Sequence, residues 1–168
     1  MTTVIRRESP ADVDSIREVN RQAFAGEDEA RLVDQLRDGG FARLSLVAVL
    51  NDLVVGHILF SDLRIETDTG TICSLALAPL AVMPGHQRRG IGSMLVREGL
   101  RTAKELDHQS VIVLGHAAFY ARFGFSSELA IPLRSPYSGP HFLALELRPG
   151  ALDGVEGDVC YPSPFSSL

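Results

Sequence analysis

Long apolar runs are missing from this chain, and with them a membrane span. The longest, Ile72 to Met83, is bounded by Glu66 and Asp68 before it and by His86 to Arg89 after it, short of the ~20 residues a spanning helix needs. Met1 to Arg7 lacks an apolar h-region, so no secretory signal is expected. Cysteine is scarce: Cys73 and Cys160 form neither a metal spacing nor a disulfide framework. The five histidines and the carboxylates show no ligand spacing either, so no metal is expected. Dense basic runs are absent and the net charge is −5, which argues against a nucleic-acid partner. Internal repeats and low-complexity segments are absent too. A cytoplasmic protein, monomer or homodimer, is the expectation.

What is present is an ordinary globular composition, 45% hydrophobic and 22% charged over 168 residues, enough for one domain with a real core. Residues 1–150 are expected to form that domain. Residues 151–168 read as a Gly- and Pro-rich tail docked on it through Val159, Tyr161 and Phe165.

Along the chain, Val4 to Arg7 reads as a strand. Ser9, Pro10 and Asp12 then open a helix, with a cap, a proline at the first position and a carboxylate in the first turn. Val13, Ile16, Val19, Ala23 and Phe24 give it one apolar face. A second helix, Asp28 to Arg37, buries Leu32, Val33 and Leu36 and stops at Gly39-Gly40. Leu44 to Leu50 and Leu53 to Ile65 form a hairpin across Asn51-Asp52. A strand from Thr71 follows, then a helix from Ile91 to Leu106, a strand from Ser110 to Leu114 and a short helix from Ala117 to Phe123. Glu128 to Leu133 and Phe142 to Leu147 read as a last strand pair. The order predicts an α/β (α+β) fold, with a mixed, mostly antiparallel sheet of about seven strands flanked by about four helices. Pro79 cannot donate to a sheet ladder, so it marks a bulge or a point where strands splay.

The densest chemistry lies in Gln87-Arg88-Arg89-Gly90-Ile91-Gly92-Ser93, between an apolar strand and a helix. Such a turn points several backbone N–H groups and the positive end of a helix at one spot, which suits a pyrophosphate. Gly90 and Gly92 present no Cβ to the anion. A Walker loop is excluded, because Gly92 is followed by Ser93 and Met94 instead of a lysine and a hydroxyl residue. A dinucleotide fingerprint is excluded as well, since Leu95 stands where its third glycine belongs and Val111 near where its acidic residue belongs.

The loop matches Q/R-x-x-G-x-G/A and resembles the pyrophosphate loop of the GNAT N-acetyltransferases. Leu80 to Pro84, the loop, and Met94 to Val96 resemble that family's fourth strand, loop and third helix. Phe119-Tyr120-Ala121-Arg122-Phe123-Gly124-Phe125 resembles its fourth helix and the Gly-Phe turn. These blocks cover about a third of the chain, and Leu75 to Val82 with the C-terminal pattern is similar to its YhbS-like branch. The resemblance implies a sheet whose fourth and fifth strands splay at Pro79, with acetyl-CoA as co-substrate and a primary amine, of a small molecule or of a protein or peptide, as acceptor. Gln87, Arg88, Arg89, Gly90, Ile91, Gly92 and Ser93 are then expected to hold the pyrophosphate, and Leu80, Ala81 and Val82 the pantetheine arm. A backbone N–H at Leu80 or Val82 is the expected oxyanion donor. Tyr120 is the expected general acid beside the cofactor sulfur.

The general base stays open. His116 follows the fifth expected strand and Glu29 opens the second helix, beside the acceptor site in this family. His57, His141 and Glu128 stand behind them. Where many family members carry an asparagine, this chain has Gly115-His116, a departure that leaves no role to carry over. Cys73 sits inside an apolar strand and is not an expected nucleophile. Two other readings remain: an acyl-CoA-binding regulatory module without chemistry, and a purely structural or interaction domain.

Overall fold

The computed structural model describes residues 2–167. Its strands are β1 (Val4–Arg7), β2 (Ala42–Leu50), β3 (Leu53–Thr67), β4 (Gly70–Val82), β5 (Ser110–Leu114), β6 (Leu133–Arg134), β7 (Phe142–Glu146) and β8 (Gly157–Cys160). The helices are α1 (Val13–Phe24), α2 (Asp28–Asp38), α3 (Ile91–Glu105), α4 (Ala117–Tyr120) and α5 (Ser127–Ala130). Among the described residues no helix is long and apolar enough to cross a membrane.

The strands join in one mixed sheet, in the order β1-β2-β3-β4-β5-β7, with β8 paired to β3 and β6. Neighbours run antiparallel except β4 with β5 and β6 with β8. The β2–β3 hairpin forms as its sequence dictates: Asn51 and Asp52 both take positive φ, 52° and 63°, as a two-residue hairpin turn requires.

Alternation along β3 builds a core on each face. Leu59 and Leu63 face α1 and α2, where they meet Ile16, Leu32, Leu36 and the tail's Phe165. Ile58 and Phe60 face α3, where they meet Ile91, Leu95 and Val96. The entry to α1 is fixed by the expected cap residues. The Ser9 N–H donates to the Asp12 carboxylate at 2.7 Å, and Arg6 donates two bonds to the same group, at 2.7 and 3.0 Å. Arg6 in the first place, together with Ser9, holds the Asp12 carboxyl well below the usual carboxylate range.

Two expectations change. Glu128 to Leu133 is not a strand: Ser126 caps α5, its Oγ accepting the Leu129 N–H at 3.3 Å, and only Leu133–Arg134 extends. That short strand pairs with β8, so the last strand pair of the sequence reading is replaced. Local capping outweighs β propensity there, and Pro132 lacks an N–H for a ladder. The tail, for its part, does more than dock. Cys160, Val159 and Asp158 add to β3 opposite Arg64, Ile65 and Glu66.

Candidate active site

β4 and β5 pair at only two positions, Leu75 with Val111 and Ala76 with Ile112. Beyond them β4 runs on to Val82 and β5 to Leu114 with no further pairing. The strands have already parted when β4 reaches Pro79. On the other edge of β4 the register shifts there: Ile58 faces Leu80 and Phe60 faces Leu77. Two residues, Ala78 and Pro79, therefore oppose Leu59 alone, which is a β-bulge.

The ladder phase after the bulge decides where main-chain groups point. The Met83 N–H donates to the Val55 carbonyl at 2.8 Å, and Val82 faces Gly56. That makes Val82–Gly56 a non-hydrogen-bonded pair, Ala81–His57 a bonded one and Leu80–Ile58 non-bonded again. Leu80 and Val82 consequently turn their N–H and C=O groups away from β3, into the gap left by β5. The Val82 carbonyl accepts the Gln87 side-chain amide at 2.9 Å, which ties the loop to the strand end.

Gly90 caps α3 with φ +82°, and a Cβ there would meet no heavy atom within 4 Å. No side chain caps the helix, so its first N–H groups lack partners and keep their positive field. A Cβ on Gly92 would lie 3.9 Å from Leu80, Val82 and Phe119, so the loop borders the gap directly. Arg88 and Arg89 are exposed, and among the described residues neither joins an ion pair with an acidic group. Ser93 points inward, its Oγ accepting from the Arg122 guanidinium. Arg122 in turn lies over the Phe119 and Phe123 rings at 5.1 and 5.3 Å.

Tyr120 closes the gap from the α4 side. Its ring packs edge-on against Phe119 and Phe125 at 4.9 and 5.5 Å and lies over Gly115, where a Cβ would come within 2.5 Å of the ring. Among the described residues nothing hydrogen-bonds its hydroxyl. Burial pushes the phenol up to about 12, so it stays protonated throughout the neutral range.

A cavity of about 500 Å³ opens from this point. Leu80 and Tyr120 line it together with Phe24, Glu29, Tyr137, Tyr161 and Phe165. Of the sequence candidates for a base, Glu29 is brought to the cavity, and among the described residues its carboxylate has no ion-pair partner. His116 is not brought there. It is exposed at the cap of α4, with its ring 6.3 Å from His141. His141 bonds the Gly115 carbonyl from outside and Glu128 is exposed on α5. His57 is fully buried: it accepts from the Asn20 amide at Nδ1, 3.1 Å away, and donates from Nε2 to Ser45 Oγ at 2.9 Å. Burial, with a smaller contribution from Arg37, lowers its pKa to about 3. It is a neutral core histidine that ties α1 to the sheet. Among the described residues no cluster of three His, Cys, Asp or Glu side chains gathers that could hold a metal.

The sequence reading missed Tyr137, Tyr161 and Phe165 as cavity walls. The aromatic content of the tail hinted at Tyr161 and Phe165, and nothing hinted at Tyr137 in the β6–β7 loop.

Comparison with known proteins bears on the family and the fold. The model of the acetyltransferase (GNAT) family matches residues 13–125. The uncharacterized N-acetyltransferase YhbS of Escherichia coli (strain K12) is 35% identical over 166 residues, 97% of this chain and 98% of that one. The crystal structure of E. coli YhbS in complex with CoA superposes with a TM-score of 0.90, covering 98% of this chain and 92% of the other. A GNAT family acetyltransferase from Brucella melitensis in complex with acetyl-CoA superposes with a TM-score of 0.82 at 33% identity, covering 98% of both chains.

Proposed function

This chain belongs to the GNAT acetyltransferase family, and we propose that it transfers the acetyl group of acetyl-CoA directly to a primary amine. The observation that carries the proposal is the run of main-chain groups along one wall. Leu80 and Val82 face the β4–β5 gap, between the uncapped start of α3 and the free hydroxyl of Tyr120. An anion, a thioester carbonyl and a departing sulfur each find a fitting group in that order. The two relatives solved with CoA and acetyl-CoA support the choice of donor.

Gln87 to Ser93 fit a pyrophosphate. Gly90 leaves open space, the first turn of α3 offers unpartnered N–H groups, and Arg88 and Arg89 add positive charge. Leu80, Ala81 and Val82 would hold the pantetheine arm along the splayed strand. In the reaction the amine nitrogen forms a bond to the thioester carbon. The Leu80 N–H receives the charge on the carbonyl oxygen, a contribution typically near 3 kcal/mol for one such donor. As the carbon–sulfur bond breaks, the Tyr120 hydroxyl gives its proton to the sulfur. A phenol with its pKa raised is a weaker acid, but the burial that raises it also destabilises a bare thiolate, so the proton is still drawn to sulfur. Glu29 takes the proton that frees the lone pair of the bound ammonium, through water where the distance requires it, and passes it to solvent. The second proton, lost from nitrogen after the attack, returns through water to the Tyr120 phenoxide. The products are an N-acetylated amine and free CoA.

Two measurements on the purified protein test this. Acetyl-CoA at a hundred times its dissociation constant should stabilise the fold by about 2.7 kcal/mol, and a panel of amines should release thiol from it. Absence of the thermal shift would return the chain to an interaction domain. A shift with no thiol release from any amine would leave a binding module without chemistry.

A further inference from the structure

Resting on the transferase reading, the lining of the same cavity points to the class of acceptor. Among the described residues that line it, Glu29 is the one carboxylate, and no Lys, Arg or His joins it. The rest of the outer wall is apolar or aromatic and comes from five separate segments: Phe24 at the end of α1, Leu32 in α2, Leu114 at the end of β5, Tyr137 in the β6–β7 loop, and Tyr161 with Phe165 in the tail. Three of these leave unusual apolar surface open. Phe24 is 41% exposed, Leu114 49% and Tyr137 41%. The three tail-side rings form a continuous wall, with Tyr137 and Tyr161 edge-on at 5.6 Å and Tyr161 and Phe165 tilted at 5.1 Å. Burial pushes the Tyr161 phenol upward, so that ring stays neutral.

We propose that the acceptor is a small primary amine with an aromatic or bulky apolar body, its amino group drawn to Glu29 and its body laid against the Tyr137–Tyr161–Phe165 wall. Charge complementarity accounts for one cation and no more. A polyamine would bring further ammonium groups into a lining with a single carboxylate, and an aminoglycoside would bring hydroxyls that rings cannot satisfy. Aromatic faces also attract an ammonium directly. The volume, about 500 Å³, lies within the range of small-molecule sites.

The test is thiol release from acetyl-CoA with 2-phenylethylamine, ethylamine, spermidine and a lysine-containing tripeptide as acceptors. 2-Phenylethylamine should exceed spermidine and the tripeptide at least tenfold in kcat/KM. Tyr137→Ser should lower the ratio of kcat/KM for 2-phenylethylamine to that for ethylamine at least fivefold, with the acetyl-CoA thermal shift retained as evidence of a folded protein. Glu29→Gln should lower turnover of both amines and leave the acetyl-CoA thermal shift intact. If spermidine or the peptide is preferred, or if Tyr137→Ser affects both amines alike, the acceptor class is wrong and the transferase reading stands. If acetyl-CoA binds and no amine releases thiol, both fall together.

Discussion

Between Leu80 and Ser93 the cleft offers main-chain N–H groups, two glycines and a helix end, whereas from Phe24 round to Phe165 it offers rings and one carboxylate. The donor half is made by backbone direction. It depends on the phase of one ladder and on the positive φ of Gly90, and most side chains along it could change without moving those groups. The acceptor half is made by side chains drawn from α1, α2, β5, the β6–β7 loop and the tail, and those at the helix ends and in the loop can be exchanged without touching the sheet. A family that keeps one cofactor and varies its acceptors would be built in this way, because altering the second half does not disturb the first.

The sharpest way to break the comparison is at the joint between the halves. Tyr120→Phe should lower kcat by about 10²-fold or more, the usual contribution of a positioned acid, while acetyl-CoA still stabilises the protein. A loss of binding instead would make the tyrosine part of the cofactor seat. Next in size is Gly92→Asp. A Cβ fits there at ordinary contact distance, and a carboxylate in the first turn of α3 favours the free helix by up to about 1 kcal/mol. The free protein should melt at the same temperature or higher, and the 2.7 kcal/mol expected from acetyl-CoA should vanish. A full ligand shift in that variant would exclude this loop as the anion site.

The acceptor half has a titratable footing. α1, which carries Phe24, is tied to β3 through Asn20 and the buried His57. The folded pKa of His57, about 3, lies below the unfolded value of ~6.5. Its contribution is therefore complete above pH 6.5 and is lost as the pH falls toward 3. Between pH 7 and pH 5 that amounts to about 2 kcal/mol, measurable by urea unfolding, and His57→Asn should flatten the slope over that interval. The smallest expected effect lies in the packing beneath the acid. Gly115→Ala sets a methyl group against the Tyr120 ring, so the ring must move. A roughly tenfold drop in kcat with unchanged acetyl-CoA binding is expected, since small misplacements of a reacting group are costly. Unchanged kcat would mean that the position of the hydroxyl is not critical.

The two halves also differ in how far they can be read from sequence. The loop is seven consecutive residues, and its glycines, glutamine and arginines mark the proposed anion site with no knowledge of neighbours. Pro79 marks the bulge because a missing N–H is a local fact. The first three strands, the first three helices and the Asn51-Asp52 hairpin follow from periodicity and turn chemistry in the same way. The errors fall where local signals are short or balanced. Ser127–Ala130 helps form a helix because Ser126 caps it, although Leu129, Ile131 and Leu133 suggested a strand. Gly157–Cys160 is four residues long and becomes a strand because β3 offers it an edge. His116 sits next to Tyr120 in the chain's chemistry-bearing region but outside the cavity, because the α4 cap turns it to solvent.

Sequence alone marked the loop proposed to anchor the donor and set the order of the main elements, since both rest on patterns within a few positions of the chain, and the family resemblance singled out Tyr120 as the proposed acid. Which of Glu29 and His116 meets the cavity, which N–H groups along β4 face it, and that the tail supplies its aromatic wall were decided only by the tertiary structure. Those outcomes depend on ladder phase and on segments brought together from distant parts of the chain, and no window of local sequence contains them.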